Sequence, residues 1–506
     1  MTKLKKNIIA NYAGNGWTAL MSLLFIPLYI HFMGIESYGL VGLFAVLQAV
    51  FAILDMGLGV TMNREMARLS IQQNKSQEMR NLARTLELVY WLVGALVGIT
   101  VIALAPFIAE HWLRANRLSP ETMRAAIMTM GLVIAFRWPF TFYSGGLMGL
   151  QRQVLLNAVK IIIETLRGGG AALVLWLISP TIQAFFIWQI IIAVLGTFLA
   201  ARILWRSLPQ PEIRAGFEPE LFRHIWRFAA GMSGIAVMSI ILTQMDKIIL
   251  SRLLTLEMFG YYSLASVAAM ALFQVINPVV SALFPRFTQL VSLGDQEGLK
   301  QLYHRSCQLM SVLILPAAIV AALFSREILL LWTQNPTTVE HTHLILSILV
   351  IGTALNGLMN LPYALQVAHG WTRLAFYSNV VSVIVLVPLI FVMTSHYGAA
   401  GAAIVWVMLN SGYVLIGIQL MHRRLLPGEK WRWYAEDLCM PLFAALLTAG
   451  LGRFLLSGPM SQPAVLASLI VISIATLSMS ALAAPYTRER VLGRILKYKA
   501  VYESGS

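Results

Sequence analysis

Charged side chains are scarce in this sequence. Asp, Glu, Lys and Arg together make up 12% of it, whereas a soluble globular chain carries about a quarter, so an ordinary water-facing surface is excluded. Cysteine is nearly absent. Cys307 and Cys439 fall near expected cytoplasmic helix ends, in no C-x-x-C or metal-ligand spacing, which argues against an extracytoplasmic disulfide. There is no G-x-x-x-x-G-K-[ST] loop, so ATP hydrolysis is not expected, and no H-E-x-x-H or Cys/His cluster to hold a metal. Hydrophilic stretches long enough to fold as a soluble domain are missing too. The largest outer loop, near 109–121, shows no acid/base constellation. These absences point to a transporter rather than an enzyme, with no cofactor and no metal.

Apolar residues dominate instead, at 58%. Hydrocarbon about 30 Å thick calls for roughly 20 apolar residues per helix, and such runs recur along the whole chain. The expected spans are 7–32, 38–62, 82–109, 121–149, 152–178, 181–205, 224–251, 256–285, 302–331, 340–367, 371–394, 397–421, 436–456 and 463–485. The predicted fold is an all-α integral membrane protein of about 14 transmembrane helices. The basic start MTKLKKNIIANYAGNGW runs into a full span without a small-residue cleavage site, so it reads as an uncleaved first helix. The net charge of +15 could suggest nucleic acid, but position decides against that. Basic residues crowd one set of loops and helix ends, such as Arg64, Arg68, Lys75, Arg80 and Arg84, or Arg423, Arg424, Lys430 and Arg432. The opposite side receives few, among them Arg114, Arg124 and Arg326. This is the positive-inside pattern, with both termini cytoplasmic and an even number of spans.

The Pro- and charge-rich break SLPQPEIRAGFEPELFRHIWRF follows six spans. It suggests an N-terminal six-helix bundle over 1–206, a cytoplasmic linker over 207–223, and a second six-helix bundle over 224–424. Two further helices and a basic tail would occupy 425–506. An internal repeat supports the division. Glu36, Tyr38 and Gly39 correspond at one constant offset to Glu257, Phe259 and Gly260, each set opening a helix. Parallel repeats are a common transporter plan.

Polar residues inside spans report the protein or water side, because lipid tolerates them poorly. The fifth span carries Gln153, Asn157, Lys160, Glu164 and Arg167 at steps of four and three, which share one helix face. Arg137 in the fourth span has no acid three or four residues away, so a local ion pair is excluded. Asp246 and Lys247 sit side by side in ILTQMDKIILSRL; about 100° apart around a helix, they are not a simple mutual pair. The expected cationic cavity is Arg137, Lys160, Arg167 and Lys247. The expected ion-coupling residues are Asp55, Glu164 and Asp246, for a H+ or Na+ gradient. The expected polar lining is Asn11, Asn15, Asn157, Gln274, Asn277, Asn356 and Asn360. A plainer alternative stands beside this: polar stripes also bind helices to one another, Glu164–Arg167 could be a self-neutralised pair, and Asp55 could pair with Arg64.

Several stretches resemble the polysaccharide transport family of the multidrug/oligosaccharidyl-lipid/polysaccharide exporter superfamily, which includes Wzx-type O-antigen flippases. They are NIIANYAGNGWTALMSLLFIPLYIHFMGIESYGLVGLF, ILDMGLGVTMNREMARL, TQMDKIILSRLLTLEMFGYYSLA and YGAAGAAIVWVMLN. The resemblance implies two six-helix bundles related by a pseudo-twofold axis around an alternately opening cavity. It implies a multi-pass protein of the bacterial inner membrane, surrounded by membrane lipids. The implied cargo is an undecaprenyl-pyrophosphate-linked oligosaccharide, handed on to polymerase, chain-length or ligase proteins. Rival readings are a drug/cation antiporter, which would need an acidic, aromatic-rich cavity, a lipid II flippase, or a multispanning glycan ligase or polymerase.

Overall fold

A computed structural model of the chain describes residues 3–55, 57–72, 75–209, 214–220, 241–456, 458 and 461–489. Most of the expected seventh span up to residue 240, with Ser239, lies outside the described residues, as do parts of the 207–223 linker and the basic tail from 490 onward. Among the described residues there is no strand. In hydrocarbon each backbone N–H and C=O must find its partner within its own segment, and a helix meets that demand.

The first helices are α1 (Lys3–Leu24), α2 (Ile26–Phe51), α3 (Leu58–Leu69) and α4 (Ser76–Phe107). Then come α5 (Pro120–Gly149), α6 (Gln153–Leu177), α7 (Ile182–Ser207), α8 (241–253) and α9 (Leu256–Met270). The remainder are α10 (Phe273–Leu293), α11 (Gln296–Leu323), α12 (Ser325–Thr333), α13 (Pro336–Ala368), α14 (Arg373–Leu425), α15 (Lys430–Leu455) and α16 (Gln462–Ala483). Some starts are set by side chains that satisfy free N–H groups. Ser119 accepts from Thr122 N at 3.2 Å ahead of Pro120, and Asn335 accepts from Thr338 N at 3.0 Å ahead of Pro336.

Ten helical stretches among the described residues are long and apolar enough to cross a membrane. The α6 helix is not one of them, because Lys160, Glu164 and Arg167 sit at its centre. One stretch holds two expected spans, and Ile26–Asp55 overlaps parts of two. The α14 stretch has 53 residues, roughly 80 Å of helix at 1.5 Å per residue, far beyond one crossing. It is broken at Gly398, whose φ of 58° leaves the helical region at the start of the expected twelfth span. Gly34, at φ 80°, breaks α2 in the same way.

The chain divides into two compact units, Met1–Ser263 and Leu264–Ser506. In the first, Leu58, Met62 and Met66 of α3, Leu82, Leu86 and Tyr90 of α4, Phe142 and Tyr143 of α5, and Leu204 of α7 form a buried core. A buried carboxylate, Glu87, is fully partnered there: it accepts from Tyr143 Oη at 2.7 Å, Trp205 Nε1 at 2.9 Å and Arg84 at 2.8 Å. The described part of the linker is bound to α4. Gly216 N donates to Asn81 Oδ1 and Glu218 N to Thr85 Oγ1, both at 3.0 Å.

The internal repeat is realised inside this same unit as a reciprocal contact. Gly39 lies so close to the Leu256 carbonyl oxygen that a methyl group there would collide with it, and Gly260 stands in the same relation to the Ile35 carbonyl oxygen. Ile35 and Leu256 are themselves equivalent at the offset that relates Gly39 to Gly260. Glu36, also in the repeat, is buried and accepts from Arg117 N at 3.0 Å. In the second unit, α11 is the central helix, packed against α13, α15 and α16.

Because a backbone carbonyl cannot swing aside as a side chain can, Gly39→Ala and Gly260→Ala should each destabilise the purified protein. A loss of about 1–3 kcal/mol is expected, read as a lowered melting temperature in detergent. An unchanged melting temperature for both would show that the crossing is not tight.

Candidate functional site

The charged face of α6 looks into a small cavity walled by α5 and α7. Lys160, Glu164 and Arg167 contribute from α6, Arg137 and Phe140 from α5, and Gln189 and Thr197 from α7. Spacings of four and three residues bring the three α6 side chains to one side. Glu164 and Arg167 form an ion pair, their side chains 14% and 24% exposed. Arg137 and Lys160 belong to no ion pair among the described residues. The cavity thus gathers three cations around one carboxylate.

The walls are fixed by hydrogen bonds that spare those charges. Thr197 Oγ1 donates to Phe136 O at 2.8 Å, tying α7 to α5. Trp188 Nε1 donates to Leu166 O at 2.9 Å, and Tyr29 Oη to Gly168 O at 2.8 Å, holding α6 from both sides. The cavity measures about 50 Å³. About 10–15 Å³ of such space suffices for one water molecule, so the cavity admits a few. Uncompensated positive charge in a low-dielectric enclosure is costly unless an anion joins it. The arrangement is suited to receiving a group with negative charge and several acceptor oxygens.

Other expected site residues lie elsewhere. Lys247 is half-buried on α8 and does not line this cavity. Its neighbour Asp246 accepts from Tyr262 Oη at 2.6 Å, and its second oxygen is buried without a partner. Asp55 accepts from Tyr90 Oη; Arg64 instead lies 3.6 Å from Glu65. The amides do not line this cavity either. Asn157 donates to Asn11 Oδ1 at 2.6 Å, joining α6 to α1, and Asn356 donates to Asn410 Oδ1 at 2.8 Å, joining α13 to α14. Asn360 donates to Asn356 O, while Asn15, Gln274 and Asn277 are exposed on their helices. Amides can satisfy one another across a helix pair, so a polar stripe serves cohesion as readily as solvation. Gln189 and Thr197 were not anticipated. The signal for Gln189 was present, a single amide inside the apolar run FFIWQIIIAV.

Comparison with known proteins gives this geometry a setting. Residues 4–291 match the polysaccharide biosynthesis protein family, and residues 222–392 match the MatE family. A Shigella flexneri protein named as an O-antigen transporter is 21% identical over 401 residues, 79% of this chain and 93% of its own length. The lipopolysaccharide biosynthesis protein WzxC of Escherichia coli K12 is 22% identical over 44% of each chain. Among solved structures, the lipid II flippase MurJ in an inward closed conformation superimposes with a TM-score of 0.68 at 14% identity, covering 96% of this chain and 99% of its own. An inward-facing multidrug transporter of the MATE family gives a TM-score of 0.65 at 14% identity, covering 80% and 94%. At such identities the structural likeness concerns the fold alone.

The charge balance makes two substitutions diverge. Glu164→Gln removes the only carboxylate among three cations and should cost about 1–3 kcal/mol of stability. Arg137→Gln relieves cation crowding and should leave stability unchanged or raised. Thermal unfolding of both proteins in detergent checks the pair; equal losses would refute the charge-balance account.

Proposed function

The chain belongs to the polysaccharide biosynthesis protein family; on that premise we propose that it is a Wzx-type flippase of the multidrug/oligosaccharidyl-lipid/polysaccharide exporter superfamily in the bacterial inner membrane, carrying an undecaprenyl-pyrophosphate-linked oligosaccharide from the cytoplasmic to the periplasmic leaflet. The observation that supports this reading is the excess of cations in the α5–α7 cavity, where Arg137, Lys160 and Arg167 face the single carboxylate of Glu164. A drug/cation antiporter would call for the opposite balance. The reading includes fourteen spans with both termini cytoplasmic, and two six-helix bundles over 1–206 and 224–424.

The chemistry follows from the charges. A pyrophosphate cannot enter hydrocarbon unaided, whereas guanidinium and ammonium groups donate short, strong hydrogen bonds to its oxygens. In the empty state Glu164 occupies Arg167. An arriving phosphate replaces the carboxylate as the partner of Arg167 and draws on Arg137 and Lys160 as well. A cavity of about 50 Å³ cannot hold a sugar, so loading requires α5, α6 and α7 to separate, while the prenyl tail stays in lipid. Glu164, displaced from its partner, is the coupling residue for H+ or Na+. Asp55 and Asp246, each accepting from a tyrosine hydroxyl, stand beside Glu164 as coupling candidates. Lys247 on α8 provides a separate contact for the anionic head.

Depleting the protein should trap single-repeat lipid-linked glycan on the cytoplasmic leaflet. Single repeats accumulating on the outer leaflet would refute the flippase reading in favour of a polymerase. In reconstituted or cellular translocation assays, Arg137→Gln and Lys247→Gln should each slow flipping about tenfold or more, the worth of one lost charge-assisted bond, with insertion unaffected. Wild-type flipping by Arg137→Gln would remove the cavity from the pathway.

A further inference from the structure

In the second unit a buried imidazole stands between two carboxylates. His304 on α11 is 0% exposed; its Nδ1 lies 2.6 Å from Asp437 Oδ2 and its Nε2 3.2 Å from Glu429 Oε2. Asp437, in the first turns of α15, is 1% exposed, and its other oxygen accepts from Gln308 Nε2 at 3.0 Å. Gln308 Oε1 accepts in turn from the backbone N of Tyr486, just beyond α16, at 2.9 Å. The three side chains therefore knot α11 to the head of α15 and the end of α16. The surrounding charged and titratable groups are few. Glu429 is also faced by Lys300 at 3.7 Å and Arg432 at 3.9 Å, and Arg432 pairs with Glu436 at 3.1 Å. Tyr303 and Cys307 flank His304 on its own helix, His422 of α14 packs on the Tyr303 ring, and Tyr486 accepts from Arg432.

Hydrogens can be counted in this arrangement. Each of the two contacts needs one; an ionised carboxylate has only acceptors, and a neutral imidazole carries a single N–H. A second hydrogen must therefore reside on the imidazole or on a carboxyl oxygen. We propose that His304, Asp437 and Glu429 form a proton-binding site that holds one proton beyond the imidazole's own. Glu429, with its side chain 18% exposed, is the route to solvent, and Asp437 closes the inner end. When the proton leaves, a nitrogen lone pair faces a carboxylate in a buried space, and the contact becomes repulsive. Occupancy of the site thus governs how firmly α15 and α16 hold to α11. This assignment does not depend on the identity of the cargo.

Glu429→Gln provides the test, because its amide supplies a covalent N–H to Nε2 where the wild type needs a proton. The full-length protein is melted in detergent from about pH 6 to about pH 9, a range spanning ordinary histidine titration. A site that holds the extra proton binds more protons than the same groups in the unfolded chain, and its stability then falls as pH rises. The wild type should lose melting temperature with rising pH. Glu429→Gln should show a flatter profile, the difference approaching tenfold in the folding equilibrium per pH unit for one linked proton. His304→Gln, which removes the titrating ring, should flatten the profile as well. Parallel profiles for the wild type and either folded variant would overturn the proposal. Should neither variant fold, ring-15N spectra of the wild type at about pH 8 decide: two hydrogen-bonded nitrogens on His304 support the site, and one free nitrogen refutes it.

Discussion

A peptide group in hydrocarbon has no partner except its own helix, and this constraint organises the molecule. It turns nearly all of the described residues helical, and it turns every polar side chain within a span into a statement about what lies beside it. Ser, Thr and Asn can discharge that obligation against a neighbouring carbonyl or amide, as Asn157 does with Asn11. Charged groups cannot do so cheaply. They gather where their fields offset one another, and in the first unit that place is the α5–α7 cavity.

That cavity is incompletely neutralised, which separates it from the other buried charges of the unit. Glu87 is surrounded by three donors and is electrostatically finished. Glu164 has Arg167, but Arg137 and Lys160 face the same space with no carboxylate of their own. The two sites differ in their sum of charge. The first closes its balance internally; the second keeps positive charge in reserve, which is what the proposed anionic cargo would meet.

Legibility in the sequence follows the reach of each interaction. The convergence of Lys160, Glu164 and Arg167 was readable because helical spacing alone brings them together, and Arg137 was marked by lacking any acid one turn away. The helical, membrane-crossing character of the chain was readable from its apolar runs, whereas breaks such as Gly398, inside an expected span, were not. What could not be read were pairings between distant segments. The tyrosines that occupy Asp55 and Asp246 lie 35 and 16 residues away. His304 meets Asp437 across 133 residues of sequence, and neither residue shows a pattern that would announce the other. Lys247 was grouped with Arg137 as a cation in an apolar run, yet it does not line the same cavity.

The reciprocal crossing of Gly39 on Leu256 and Gly260 on Ile35 has the form of an isologous interface, in which residue i meets j and j meets i. Two identical half-length chains related by a twofold axis would make that contact automatically, and any change in one surface would strike it twice. Fusing the copies into a single polypeptide lifts this penalty, since each side can then vary alone. One step further along the same helices that freedom has been used: Gly42 on one copy now rests against the hydroxyl of Ser263 on the other.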